Sequence, residues 1–342
     1  MEDTQPVSKI KTGELLRKPL YNSPRFAASA RTYGIFAALA SAVFFGMTPI
    51  FGKQAIINGV HPVTVVAIRT LLASILMFVL MVVFYRKFLY IYPAGLIGCL
   101  LAGAVNGVGS LFYYNALGRI EAGVGQLLYS LYPFFLVIWL TLDRQVPGKL
   151  TIFRLSLAIT AVYLLTRTQN QPVDIIGVIM MLLASALYAL HIPINQKVLY
   201  EMPAPTVTAY TLLAMSLVVT PVYFVSGQAA PPEGMNAWLP ILGLTFVTFL
   251  SRLTLFMGVK HIGSMQTALL GLSEILVTLF FAYIWLGERL NYLQWVGAVL
   301  MVTSLMLVVF EKPSSIKPTS QGWLSWIRPP TRSSDIPWQP HD

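Results

Sequence analysis

Long uncharged runs dominate the pattern of this chain. Ten stretches, most of them about 20 predominantly apolar residues long, lie at 34–57, 64–85, 91–116, 122–142, 150–166, 175–199, 205–226, 238–259, 263–286 and 291–310. A helix of about 20 such residues spans the hydrocarbon core of a bilayer. Ala122–Leu142, Ile175–Gln196 and Leu290–Phe310 contain no formal charge. The fifth stretch is the shortest and carries Arg154 near its start. No alternation of apolar and polar residues recurs in segments of about ten, which argues against a membrane barrel. The pattern predicts an all-α membrane protein with ten transmembrane helices.

Composition agrees. Of 342 residues, 56% are hydrophobic and 11% are charged, against about 25% charged in soluble domains. The basic residues supply an orientation. With the N-terminus in the cytoplasm, 17 of the 23 Lys and Arg residues lie inside, Arg119, Arg167 and Arg289 lie outside, and Lys53, Arg69 and Arg252 fall within spans. Ten spans put both termini on that side, and the positive-inside rule favours it. The net charge of +10 then needs no nucleic-acid partner. Residues 1–33 read as a cytoplasmic tail and 311–342, rich in Pro and Ser, as a disordered cytoplasmic tail. The single cysteine, Cys99, makes no intramolecular disulfide and no cysteine-based metal cluster.

The chain repeats itself. Leu39–Lys53 (LASAVFFGMTPIFGK) aligns with Leu183–Lys197 (LASALYALHIPINQK), sharing Leu39/Leu183, Ala40/Ala184, Ser41/Ser185, Ala42/Ala186, Pro49/Pro193, Ile50/Ile194 and Lys53/Lys197. The likeness continues through Pro62/Pro205 and from Thr70–Ala73 to Thr211–Ala214. Residues 34–167 and 174–310 therefore form two five-span repeats. Because five is odd, the two enter the membrane from opposite sides, an arrangement many secondary transporters use. Pro49 and Pro193 stand at matching places as candidate helix breaks near a binding region, or as simple packing kinks.

Phe45-Gly46, Pro49, Lys53, Pro62 and Arg69, then Tyr113–Leu117, Glu121-Ala122 and Tyr132-Pro133, then Leu286–Leu290 (LGERL), Gln294 and Gly297 follow one another in an order that resembles the drug/metabolite transporter superfamily, EamA type. The resemblance covers residues 34–310. Two departures stand out: Ile275 follows Glu274 where the family often has proline, and Leu142-Asp143-Arg144 replaces a Gly-Glu turn. The resemblance implies a ten-helix plasma-membrane carrier of small metabolites or drugs, often outward. It also implies a central cavity lined by spans one, three, four, six, eight and nine.

Charges inside a bilayer are costly and tend to be functional. Glu274 is the acidic residue in mid-span, and Arg252 lies at a depth from which it can reach it. The pair is a candidate for binding a proton or a cationic substrate group, or else a structural ion pair. Lys53 and Arg69 read either as snorkelling side chains or as an electropositive vestibule for an anionic group. His191 offers a hydrogen bond within the bundle or a proton relay. Asn106 and Ser110, on a span whose glycines favour close packing, and Tyr114, Gln126, Tyr129 and Tyr132 are candidate pocket residues for an amphipathic substrate.

The expected function is secondary transport of small metabolites or drugs, with amino acids or related amphipathic solutes as candidates and export as the direction, by alternating access. Expected partners are a small-molecule substrate, the lipid bilayer and a proton or counter-substrate. No cofactor or metal is expected, since no phosphate loop and no zinc-type histidine motif occurs. A phosphorylated-sugar or nucleotide-sugar exchanger of the same superfamily is the alternative, and a membrane-embedded lipid-modifying enzyme a more distant one. Oligomeric state has no signature in the sequence.

Overall fold

The computed structural model describes residues 24–120, 122–142, 148–166, 174–227, 231–281, 284–285 and 292–307. Both expected tails lie largely or wholly outside these residues, as do Glu121, Asp143-Arg144 and Leu286–Leu290.

Among the described residues the protein is all-helical apart from turns and loops. The helices are α1 (Pro24–Ile57), α2 (Pro62–Phe84), α3 (Pro93–Arg119), α4 (Ala122–Tyr129), α5 (Tyr132–Leu142), α6 (Lys149–Thr166), α7 (Ile175–Leu199), α8 (Ala204–Val225), α9 (Met235–Ile262), α10 (Ser264–Gly271), α11 (Glu274–Phe281) and α12 (Tyr292–Met306). Among the described residues seven segments are long and apolar enough to cross a membrane: most of α1, then α2, α3, α7, α8, α9 and the run Ser264–Phe281 through α10 and α11. The other three expected spans coincide with α4 and α5 together, with the 18-residue α6, and with α12, of which 15 residues are described. Helix α1 starts at Pro24, ten residues ahead of the predicted span.

Local chemistry sets the helix ends. Pro62 and Pro93 occupy first-turn positions, where a missing N–H costs nothing. Asp174 caps α7 by accepting from the backbone N–H groups of Ile176 at 2.8 Å and Gly177 at 3.4 Å, which satisfies donors a helix otherwise leaves open. Gly263, at φ +83°, makes a one-residue left-handed link between α9 and α10, a conformation that suits glycine.

Of the two readings of Pro49 and Pro193, break or packing kink, the structure shows no break: α1 and α7 run continuously through both prolines. Each proline removes one backbone hydrogen bond, too little to end a long apolar helix held by its neighbours. The interruptions fall in the fourth and ninth stretches. Helices α4 and α10 are each eight residues long and begin 142 residues apart, and α5 and α11 also begin 142 residues apart. The first gap precedes Pro133. The second has no proline, since Ile275 stands in that place.

Packing follows the same correspondence. Helix α1 lies against α9 as α3 lies against α7, and α1 against α11 as α7 against α5. Half-helices cross over, α4 touching α11 and α5 touching α10, while α2 packs on α8 and α6 on α12. Close approach needs small residues at the crossings. A side chain on Gly103 would meet the carbonyl oxygen of Thr211 at 2.5 Å, so α3 reaches α8 backbone to backbone. The outward faces carry exposed apolar side chains such as Val83, Phe84, Val225 and Leu239, which suit a hydrocarbon surround. The chain is a multi-pass membrane protein.

Candidate functional site

Helix α4 brings its last residue, Tyr129, and α11 its first, Glu274, to one cavity between helices of both halves. Its lining includes Phe45 and Thr48 from α1, Arg69 from α2, Ser110, Tyr113 and Tyr114 from α3, Gln126 and Tyr129 from α4, Arg252 from α9 and Glu274 from α11. The empty space around these residues is about 380 Å³ with open solvent included.

Each arginine is held by neutral groups. Arg69 is buried at 4% exposure. It donates to Thr248 Oγ1 at 2.9 Å and Ser110 Oγ at 3.4 Å, with its guanidinium carbon 4.6 Å from the centre of the Tyr114 ring. Arg252, at 3% exposure, packs against two rings, 5.1 Å from the centre of Phe45 and 5.4 Å from that of Tyr188. A guanidinium over an aromatic face gains about 0.5–2 kcal/mol, more when water is excluded. Arg252 also faces Asn106. An amide NH₂ turned toward a guanidinium would oppose donor to donor, so the amide sits with Oδ1 accepting from Arg252 at 3.1 and 2.9 Å.

His191 completes the support of Arg252. Its Nδ1 lies against the carbonyl oxygen of Tyr188, which only accepts, so Nδ1 carries the hydrogen. That leaves Nε2 as the acceptor for Arg252 Nη1 at 3.2 Å. Both ring nitrogens are thereby taken up in a neutral tautomer.

Glu274 opens α11 and is 2% exposed. Its Oε1 has no hydrogen-bond partner. Arg119 and Asp174 form an ion pair at 3.3 Å, whereas Arg252 and Glu274 share the cavity without closing to 4.0 Å. The Nε atoms of Arg69 and Arg252 and the Tyr114 hydroxyl are likewise buried without partners. Buried polar groups normally find partners, yet these four atoms on cavity-lining residues have none.

Other sequence candidates do different work. Lys53 Nζ donates to the carbonyls of Leu117 at 2.9 Å and Ile120 at 3.1 Å, placing a positive charge at the C-terminus of α3, where the helix dipole favours it. It thus separates from Arg69, with which it was grouped in the sequence. Tyr132 donates to Ala268 O at 2.8 Å and ties α5 to α10. Gln126 accepts from Tyr113 at 3.2 Å. Sequence reasoning missed Phe45, Thr48, Tyr113, Tyr188 and Thr248. Helical spacing carried part of the signal, since Tyr188 lies three residues before His191 and Thr248 four before Arg252, each pair on one helix face.

Comparison with known proteins agrees with this architecture. The sequence profile of the EamA-like transporter family matches residues 32–167 and again residues 175–310. An uncharacterized transporter of Bacillus subtilis (strain 168), YcbK, is 24% identical over 281 residues, which is 77% of this chain and 88% of that protein. A solved crystal structure shares the fold with a TM-score of 0.65 and 14% identity, over 83% of this chain and 97% of its own. With both halves matched by one profile, the chain belongs to the EamA-like transporter family.

Proposed function

We propose that the protein is a secondary carrier of ten transmembrane helices in two inverted five-helix repeats, lying in the cell membrane with both termini in the cytoplasm. It moves a small amphipathic solute, of amino-acid or similar size, by opening the central cavity alternately to each side, with export as its direction. The observation that carries this reading is the pair of matched interruptions, between α4 and α5 and between α10 and α11, beside a cavity lined by Arg69, Arg252 and Glu274. Discontinuous helices in corresponding places of two repeats are where transporters of this kind bind their cargo. Buried ionisable side chains in a membrane interior are costly enough to point to function.

In this mechanism the solute rests on the tyrosine faces, its polar group meets the arginines, and Glu274 exchanges a proton or holds a counter-charge. Helices packed across the two repeats, α1 on α9 and α3 on α7, then rock as units about the cavity. The test is counterflow in proteoliposomes with labelled amino acids, nucleosides, organic anions and cationic drugs at two pH values. Saturable exchange of one class, with a pH effect abolished by Glu274→Gln, is the expected result. Absence of exchange for every class by folded, inserted protein would overturn the carrier reading.

A further inference from the structure

The cavity carries two guanidinium groups, those of Arg69 and Arg252, and one carboxyl, that of Glu274. The charges are unequal whatever the state of the acid. With Glu274 ionised, one positive charge is in excess; with Glu274 protonated, two are. Neither arginine is neutralised by a carboxylate within 4.0 Å among the described residues; their partners are hydroxyl, imidazole and amide groups and aromatic rings. Uncompensated charge in a low-dielectric interior is strongly unfavourable, and a counter-charge brought in by a ligand relieves it. The unsatisfied atoms have the matching polarity. Arg69 Nε, Arg252 Nε and the Tyr114 hydroxyl are donors awaiting acceptor oxygens, and guanidinium forks suit carboxylate and phosphate geometry. The rest of the wall combines the rings of Phe45, Tyr113 and Tyr129 with Gly109 and the polar side chains of Thr48, Ser110 and Gln126.

We propose that the cavity selects organic anions: a carboxylate or phosphate group of the solute is bound by the Arg69 and Arg252 guanidiniums, and an aromatic or apolar body lies on Phe45, Tyr113, Tyr114 and Tyr129. This rests on the reading of the cavity as the solute site. It sets an order: a monoanion binds ahead of a neutral molecule of the same shape, and that neutral molecule ahead of a cation. Glu274 takes no part in holding the anion, because two negative groups repel. A neutral side chain at that place leaves anion binding intact or tightens it.

The experiment is calorimetric titration of the purified full-length protein in lipid nanodiscs at neutral pH with benzoate, benzamide and benzamidine, planar probes of one shape and three charges. Benzoate is expected to bind about tenfold or more tighter than benzamidine, with benzamide between, the size expected of one charge-assisted contact. Phenylphosphonate identifies the head group: tighter binding than benzoate assigns a phosphate site, weaker binding a carboxylate site. Arg69→Gln and Arg252→Gln each lose benzoate by about tenfold or more, whereas Glu274→Gln keeps it. Arg→Lys versions retain the order benzoate over benzamidine, which separates lost charge from lost folding. No benzoate binding, benzamidine equal to or tighter than benzoate, or loss of benzoate in Glu274→Gln would overturn the proposal. Counterflow is scored separately. Exchange of neutral or cationic solutes without anion preference sinks this inference and leaves the carrier standing, and anion binding without any exchange does the reverse.

Discussion

Gly46 sits where α1 crosses the first turn of α11, and its replacement by alanine tests how tightly Glu274 is positioned. A Cβ there would lie 2.6 Å from the Glu274 carbonyl oxygen, 2.7 Å from Val277 Cβ and 2.9 Å from Val277 Cγ1. Ordinary contact begins at 3.4 Å, so α11 must retreat by about 0.8 Å, and its backbone oxygen has no rotamer to yield. The retreat also strains the bond from Thr278 Oγ1 to Gly46 O, 2.8 Å long in the native packing. Overpacking of this kind costs about 1–3 kcal/mol, against which alanine regains about 0.5–1 kcal/mol of helix propensity. Gly46→Ala should therefore lose about 1 kcal/mol net, between bounds of about 0 and 2.5 kcal/mol. Gly123, in α4, has nothing within 4 Å of its Cβ position, so Gly123→Ala should gain the propensity alone. The assay is thermal unfolding of both variants and wild type in one detergent, with the midpoints expected on opposite sides of wild type. A raised midpoint for Gly46→Ala would refute the close-approach argument.

Further expectations concern the groups that support the site. Lys53→Met should lower stability by about 1–2 kcal/mol, because two carbonyls at the end of α3 lose a charged donor; an unchanged unfolding midpoint would count against the cap. His191→Gln should leave the pH profile of transport in place, since both imidazole nitrogens are already committed, while Glu274→Gln should flatten it; a flat profile in the histidine variant would reverse the two roles. The backbone N–H of Ile176, with lesser help from Arg119, holds Asp174 below the ordinary aspartate value of 3.8. Its contribution is therefore fully present above that value and lost as pH falls through the depressed one. The stability difference between wild type and Asp174→Ala should be constant at neutral pH and shrink in acid below about 3.8, measured by unfolding at a series of pH values.

Much of the membrane architecture was legible because apolar run length is a strong signal and each helix must satisfy its own backbone in lipid. The repeat was legible at Leu39–Lys53 and Leu183–Lys197 because both segments keep their small and proline residues. The positions of the breaks were not. Proline was the natural marker, yet Pro49 and Pro193 sit inside unbroken helices, and the α10–α11 break persists with Ile275 in place of a proline. Tertiary contacts accompany that break: Tyr132 reaches Ala268 O, and Gly46 admits the Glu274 carbonyl. Such contacts join residues far apart in the chain and leave no local pattern. The site was half legible for a similar reason. Costly charges announced Arg69, Arg252 and Glu274, but their grouping depended on which helix faces meet, so Lys53 was placed beside Arg69 and the supporting rings of Phe45 and Tyr188 were passed over.

The exchange of partners between the halves has a consequence for how the molecule is made. Helix α1 finds its main surface on α9, α3 on α7 and α8, α2 on α8, and α6 on α12. The ribosome delivers the first half while the surfaces it needs are still untranslated. That half must wait in the bilayer as a loose set of lipid-solvated helices, with Arg69 and the glycine faces of α3 uncovered. Among the described helices assembly is then a late step that begins as α7 and α8 arrive and ends with α12, so damage to α12 is felt by α6 in the first half.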